Sequence, residues 1–141
     1  MTFRYALVAV GIAWGIGMAV QPGLAQEKTV WDGVYTEEQA TRGAAAYSRD
    51  CSSCHQDDLA GDGFAPGLSG PEFAAAWEGL TLGDLLERVR VSMPPSNPGG
   101  TPVTDKVDII AHILKSNRFP AGSTEMTADA MKGIQYRANK P

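Results

Sequence analysis

Cysteine and histidine are scarce in this chain, which has two of each among its 141 residues. A zinc site takes four ligands, so without carboxylates it would need all four of these side chains together. Basic residues are also few: the 12 lysines and arginines are outnumbered by 16 acidic residues, and they form no stripe or cluster. Nucleic acid and anionic membrane surfaces are therefore poor candidate partners. The sequence has no internal repeat and no convincing strand-like alternation of apolar and polar residues.

Both cysteines and one histidine lie within five residues, Cys51-Ser52-Ser53-Cys54-His55. The pattern C-x-x-C-H is the attachment signature of c-type haem. On one turn of helix the two sulfurs can reach the two vinyl groups of one porphyrin edge and form thioethers. The histidine that follows is carried under the ring, where it binds the iron from the proximal side. The motif predicts one covalent haem c, bound through Cys51 and Cys54, with His55 as an iron ligand.

Three other interpretations of this motif fit less well. A thioredoxin-like redox pair would place C-x-x-C beside a βαβ pattern, and no strand-like segment feeding a helix precedes Cys51. A zinc site would have to recruit His112 as its fourth ligand. A structural disulfide is possible outside the cytosol but leaves His55 unexplained. Haem attachment is the interpretation we favour.

The first 25 residues have the features of a secretory signal peptide. Arg4 gives a positive start, residues 6–20 are an uncharged apolar run, and Gly23-Leu24-Ala25 is a small-x-small cleavage site. The run is shorter than the roughly 20 residues that span a membrane. Export of the chain is consistent with the C-x-x-C-H motif, since c-type haem is attached outside the cytoplasm in bacteria. We expect cleavage near Ala25 and a periplasmic domain of residues 26–141, with an uncleaved membrane anchor as the alternative.

The helical signals along the mature chain predict a small all-α domain. Apolar stripes at helical spacing alternate with segments rich in glycine and proline. The predicted helices run from a capping box at Thr36–Gln39 to about Asp50, from Pro71 to Trp77, from Leu82 to Val91 after the cap Thr81, from Asp105 to Lys115, and from about Ala128 to Ile134. Residues 56–70 and 93–102 are predicted loops.

The second axial ligand decides what such a haem protein does. A thioether raises the reduction potential and closes the iron to small molecules, whereas an open position allows gas binding or peroxide chemistry. The candidates in the mature chain are His112 and the methionines Met93, Met126 and Met131. Met93 lies 38 residues after His55 at the head of the second loop, where a methionine has little packing reason to be. His112 lies among apolar residues, where a histidine is more often a packing residue. We predict Met93.

With these parts in order, residues 36–119 resemble the class I cytochrome c family. The features that carry the resemblance are an N-terminal helix ending in the motif at 51–55, Pro66-Gly67-Leu68, Met93-Pro94, and the last helix at 108–114. They cover most of the mature domain and follow one another in the family's order. Residues 120–141 are then a C-terminal extension.

The resemblance implies a small class I cytochrome c fold with the haem in a pocket closed by a proline-rich methionine loop. In that family the first and last helices cross, and a glycine and an aromatic of the first pack against an aliphatic and an aromatic of the last. Gly43 and Tyr47 match the first pair. Ile109 and His112 fall where the second pair is expected, with His112 in place of the usual tyrosine.

The resemblance also implies cofactor contacts beyond the motif. The carbonyl of Pro66 would accept a hydrogen bond from the free ring N–H of His55, which fixes the tautomer and tunes the ligand. Leu68 would pack on the haem. These contacts complete a predicted cofactor site whose iron ligands are His55 and Met93.

Three shorter stretches, residues 30–35, 77–82 and 113–122, are similar to small periplasmic cytochromes that accompany quinoprotein (PQQ-dependent) dehydrogenases. The chain has no propeller repeat, so such a dehydrogenase would be a separate protein. We expect an electron carrier without catalytic residues that accepts electrons from such a donor and passes them to a terminal oxidase or another cytochrome. The alternatives are a haem-bearing subunit of a dehydrogenase or oxidase complex, and a ligand-binding or peroxidatic haem protein if Met93 is not a ligand.

Three aspartates, Asp57, Asp58 and Asp62, follow the haem motif closely. They form either an ordinary solvated loop or a negative docking patch for a partner. Removal of the signal peptide takes away Arg4 alone among the charged residues, so the formal net charge changes from −4 to about −5.

Overall fold

Five α-helices carry the fold in a computed structural model that describes residues 27–141. The predicted signal peptide and its cleavage site lie outside the described residues. The helices are α1 (Glu37–Asp50), α2 (Ser52–His55), α3 (Gly70–Trp77), α4 (Leu82–Ser92) and α5 (Val103–Ser116). Two strands of two residues each, β1 (Lys28–Thr29) and β2 (Ile134–Gln135), form the only sheet within this range. The all-α prediction is confirmed, and none of the helices in residues 27–141 is long and apolar enough to cross a membrane.

The start of α1 follows from its capping residue. The Thr36 hydroxyl accepts a hydrogen bond from the Gln39 amide at 3.1 Å, and acidic residues occupy the first turn. The capping box predicted from Thr36 and Gln39 is only half formed, because the Gln39 side chain does not return to the helix start. Its amide instead pairs with the backbone of Met126, donating and accepting at 2.8 Å. A buried amide needs partners for both its donor and its acceptor, and one peptide unit supplies both.

The other helix boundaries lie close to their predicted positions. At α4, Thr81 and Asp84 form a complete capping box, with the two side chains bonded to each other's backbone N–H. The last helix, α5, begins at Val103, two residues earlier than predicted, with Pro102 as its N-cap. A proline is tolerated there because the first N–H groups of a helix have no intrahelical partner.

Helices α1 and α5 pack directly against each other at Gly43. A Cβ atom at this position would lie 1.8 Å from the carbonyl oxygen of Asp108, so only glycine allows the two backbones to come this close. One turn further on, the rings of Tyr47 and His112 pack with their centroids 5.2 Å apart. Ile109 is buried in the same contact. The predicted packing of the first helix on the last is confirmed.

The C-terminal segment is part of the core. The helix predicted for residues 128–134 is wrong: a short 3₁₀ turn, Ala130–Gly133, leads into β2, which pairs in parallel with β1. Backbone pairing between distant segments replaces the helical bonds that the local pattern suggested. Tyr136 follows β2 and packs edge-on against both Phe73 and Phe119, with ring centroids 5.9 and 5.3 Å apart.

Candidate haem-binding site

The C-x-x-C-H motif lies on a single helical turn. Cys51 ends α1 and is the N-cap of α2. The amides of Cys54 and His55 both bond to the Cys51 carbonyl, at 3.2 and 3.0 Å. Gln56 then adopts a left-handed φ of 63°, which ends the helix directly after the motif. Two thiols and one imidazole are thus presented from five consecutive residues of fixed backbone.

The imidazole of His55 is held from one side by the chain. Its Nδ1 lies 2.8 Å from the carbonyl oxygen of Pro66. A carbonyl can only accept, so Nδ1 carries the proton and Nε2 keeps its lone pair for a metal. His55 is also buried, with 8% of its surface exposed. A histidine whose second nitrogen donates to a carbonyl has the arrangement expected of a metal ligand.

The loop that carries the Pro66 carbonyl is braced by its own backbone. The Asp62 carboxylate accepts from the amides of Phe64 and Ala65 at 2.9 and 2.7 Å. These bonds hold the pKa of Asp62 below its usual range. Gly61, with a φ of 78°, lies so close to the Ala65 carbonyl oxygen that a Cβ atom would be 2.3 Å from it. The loop is therefore tightly built, and Asp62 has a structural role in it.

Leu68 is half-buried and packs against the hydrophobic core. Its backbone is held by Asn117 at the end of α5, whose side chain donates to the Leu68 carbonyl at 2.9 Å. The side-chain oxygen of Asn117 accepts from the Gly70 amide at 3.2 Å. The sequence interpretation missed Asn117. Its only signal was an amide residue at a helix end, which is too common to mark a contact with a loop nearly 50 positions away.

Met93 occupies the position where α4 ends. Its amide donates to the Val89 carbonyl at 3.0 Å, and its backbone is extended, with φ −125° and ψ 138°. Met93 is half-buried. It is the first residue of the loop 93–102, which we call the Met93 loop. The far end of this loop is attached beside the haem motif, because the Thr101 hydroxyl donates to Asp50 at 2.8 Å. Asp50 directly precedes Cys51.

The other candidate ligands are occupied in the packing of the core. Met126 and Met131 are 3% and 0% exposed within the hydrophobic cluster. His112 packs on Tyr47 at the helix crossing. Burial, with a smaller contribution from the charge of Lys115, lowers the pKa of His112 below its usual value. A neutral imidazole between two helices is what a packing residue requires.

The cysteines of the motif are not joined to each other, and Cys51 is the more buried of the two. Burial, followed by the negative charge of Asp50, raises the pKa of the Cys51 thiol to about 11. A protonated thiol is a poor nucleophile, which argues against a redox-active thiol pair in this fold. Nor does any group of three or more histidine, cysteine or acidic side chains in residues 27–141 have the geometry of a metal site.

This donor set fits covalent haem c: two free thiols on one turn, and an imidazole with one nitrogen occupied by a carbonyl and the other available. The helical fold and this site together define a c-type cytochrome. A comparison with protein-family models agrees, since residues 38–113, more than half of the chain, match the family described as cytochrome c oxidase, cbb3-type, subunit III. The chain belongs to that family of c-type cytochromes, whose domains bind covalent haem c and transfer electrons. No curated protein and no solved structure matches the chain.

Proposed function

We propose that this protein is a soluble periplasmic electron carrier. One haem c is attached through Cys51 and Cys54, with His55 and Met93 as its axial ligands. The mature chain begins at about residue 26. The observation that carries the proposal is the His55 imidazole, buried and fixed through Nδ1 on the same turn as two free thiols. When bound, the haem supplies one-electron chemistry by cycling between ferrous and ferric iron.

The residues on the proximal side hold and tune the ligand. The Pro66 carbonyl fixes the tautomer and the ring orientation of His55, and in this way it directs the opposite nitrogen toward the iron as a ligand. The His55 side chain is itself buried in the domain. Leu68, two residues after Pro66, supplies an apolar surface, and the Asn117 side chain holds the Leu68 backbone in place. None of these residues transfers a proton or forms a bond with a substrate.

Met93 is proposed as the distal ligand because its position has no other evident purpose. The remaining methionines of the mature chain are core residues, whereas Met93 begins an irregular loop whose far end is attached beside the haem motif. A thioether ligand raises the reduction potential and excludes carbon monoxide and peroxide from the iron. Both effects suit a carrier that delivers electrons to a high-potential acceptor.

The domain works with redox protein partners, as the family implies. We propose a separate quinoprotein dehydrogenase as the donor and a terminal oxidase or another cytochrome as the acceptor. The support for this donor is the likeness of three short stretches to dehydrogenase-associated cytochromes. In one of them, residues 30–35, Val30, Val34 and Tyr35 are buried, so that part of the likeness concerns packing more than a partner surface.

A second function is favoured by the family match itself. The matched family is named for a subunit of a cbb3-type oxidase, so we propose as the alternative that this domain is a fixed haem-bearing subunit of an oxidase or dehydrogenase complex. Gentle solubilisation and purification from the native source separates the two. A carrier is recovered alone in the periplasmic fraction, whereas a subunit is recovered with an enzyme complex.

Three measurements on the exported protein test the carrier proposal. Mass spectrometry should give a chain beginning near Gln26 with the mass of one haem added. The ferric protein should show the charge-transfer band of methionine-bound iron, and the ferrous protein should not bind carbon monoxide. A protein that lacks the band and binds carbon monoxide rapidly is a ligand-binding or peroxidatic haem protein, and the carrier proposal is then wrong.

A further inference from the structure

Lys106 is a buried cation that the proposed function does not use. It lies on α5 with 2% of its surface exposed. Its ammonium group forms no ion pair with any carboxylate in residues 27–141; it donates instead to the carbonyl oxygens of Pro98 and, at 3.4 Å, of Arg90. An ammonium group away from water is costly, whereas an apolar side chain at such a site would be tolerated easily. This pair of carbonyl contacts therefore needs an explanation.

The two carbonyls lie on either side of Met93 in the sequence. Arg90 belongs to the last turn of α4, and Pro98 lies in the middle of the Met93 loop. In a continuing helix the Arg90 carbonyl would accept from the amide of residue 94, but residue 94 is a proline and has no N–H. Lys106 supplies the donor that this proline lacks and, through the same ammonium group, joins the end of α4 to the loop.

The Met93 loop depends on bonds from side chains of other segments because it buries few residues of its own. None of residues 93–100 is fully buried. From Pro94 to Gly100 its backbone bonds are two local turns, from the Asn97 amide to Pro94 and from the Gly100 amide to Asn97, each 3.0 Å. At its two ends the Met93 amide bonds to Val89 and the Pro102 carbonyl accepts from the Lys106 amide. Between these ends, the loop is connected to the rest of the domain by the ammonium group of Lys106 and by the bond between Thr101 and Asp50. Without the ammonium group, the segment from Pro94 to Gly100 would keep only local turns.

We infer that Lys106 is a positioning residue that keeps the Met93 loop closed, so that Met93 stays at the haem. This inference rests on the proposed ligation by Met93. An exogenous ligand can reach the iron only when Met93 has left it. The rate at which such a ligand binds therefore reports how often the loop opens, without requiring the domain to unfold.

The test compares Lys106→Met with Lys132→Met in the haem-loaded protein. Methionine keeps an unbranched chain at position 106 but removes the charge and the donors. The control removes one positive charge from an exposed side chain that pairs with Asp129. The probe is imidazole, and we expect it to bind to Lys106→Met at least about tenfold faster than to the wild type. A tenfold change is equivalent to about 1.4 kcal/mol. We also expect a lower reduction potential in this variant. The rate of imidazole binding to the control should stay within about twofold of the wild-type rate. Lys106→Arg keeps the charge and the donors, so its binding rate should be close to that of the wild type.

Equal imidazole rates and equal potentials in Lys106→Met and the wild type overturn the inference, even if urea unfolding shows a loss of global stability. If Lys106→Met does not fold, Lys106→Leu, which also removes the charge and the donors, is measured in the same way, and a wild-type rate of imidazole binding in that variant overturns the inference equally. The ligation is checked first. If the wild-type protein lacks the ferric methionine band, the proposed Met93 ligand is wrong. If the wild type has the band and the Lys106 variants bind imidazole at the wild-type rate, the Met93 ligand stands and only the role of Lys106 is wrong.

Discussion

The ring Nδ1 of His55 and the carbonyl oxygen of Pro66 lie 2.8 Å apart, across a loop of ten intervening residues. Because Pro66 itself is exposed, the position of its carbonyl depends on the bracing of that loop and not on burial. Changes that shift the loop should therefore alter the haem site without touching a ligand, and two glycines of the loop allow this to be measured.

Gly61→Ala should disturb the site far more than Gly63→Ala. Both glycines have a left-handed φ, 78° and 91°, so both variants carry a similar backbone strain of about 1 kcal/mol. Only at Gly61 does the new Cβ collide, 2.3 Å from the Ala65 carbonyl oxygen; at Gly63 there is open space. Urea unfolding should show a loss of several kcal/mol for Gly61→Ala, against about 1 kcal/mol for the control. The reduction potential should change only in the first. Equal effects in both variants would mean that the collision is relieved without moving Pro66.

Met93→Ala should leave the haem attached but open the iron. The attachment through Cys51 and Cys54 does not involve Met93, whereas the distal thioether is lost. We expect a lower reduction potential, disappearance of the ferric methionine band and rapid binding of carbon monoxide by the ferrous protein. Met131→Leu, a volume-conserving change at a fully buried methionine, is the control and should preserve all three properties. A Met93→Ala variant that retains the band would show that the ligand is another residue.

His112→Phe should preserve ligation and change the pH dependence of stability. Since the fold lowers the pKa of His112 from 6.5, the unfolded chain binds the proton more readily. The free energy of unfolding should therefore decrease as the pH falls through about 6.5, and it should be fully present above that value. Urea unfolding at pH 7 and pH 5 should show a smaller decrease for His112→Phe than for the wild type, with at most a modest stability cost at pH 7. A change to high-spin ferric iron in this variant would identify His112 as a ligand.

The sequence predicted those parts of the fold that depend on local chemistry. Thr36 and Thr81 identified two helix starts because an N-cap acts within its own first turn. The helix crossing at Gly43 came from the resemblance to class I cytochromes c, because a glycine inside a helix could by itself also be a local defect. The pairing of Gln39 with Met126 and the contacts of Lys106 were missed. Each joins segments distant in the sequence, and nothing in the neighbouring residues distinguishes such a side chain from an ordinary polar one.

Phe64 should contact a redox partner. Its side chain is fully exposed at the tip of the loop that carries the Pro66 carbonyl, although its backbone is fixed by Asp62. A large aromatic held in water has no folding role, whereas aromatic residues are enriched at protein interfaces. Phe64→Ala should leave the reduction potential and the urea midpoint unchanged and lower the second-order rate of electron transfer to a partner at every salt concentration. Phe64 is not part of the docking face if that rate equals the wild-type rate.

Asp57 offers the cleanest test of docking by charge. The carboxylates of Asp58 and Asp62 accept backbone amides of the loop, so replacing them would change its structure as well as its charge. Asp57 is exposed and forms no hydrogen bond within residues 27–141. Its substitution by asparagine therefore removes one negative charge next to the haem motif and little else.

Electron transfer to a basic acceptor should slow as the ionic strength rises from about 10 mM to about 150 mM, because the Debye length shrinks from about 30 Å to about 8 Å. Asp57→Asn should reduce this salt dependence, since opposite charges mainly raise the association rate. The matched control is Glu38→Gln, the same change of charge at an exposed position of α1 about 20 Å along the helix from Cys51. It should leave the salt dependence nearly unchanged. A wild-type rate that does not vary with salt, or equal effects of the two substitutions, would show that Asp57 belongs to a solvated loop and that the partner docks through apolar contacts such as Phe64.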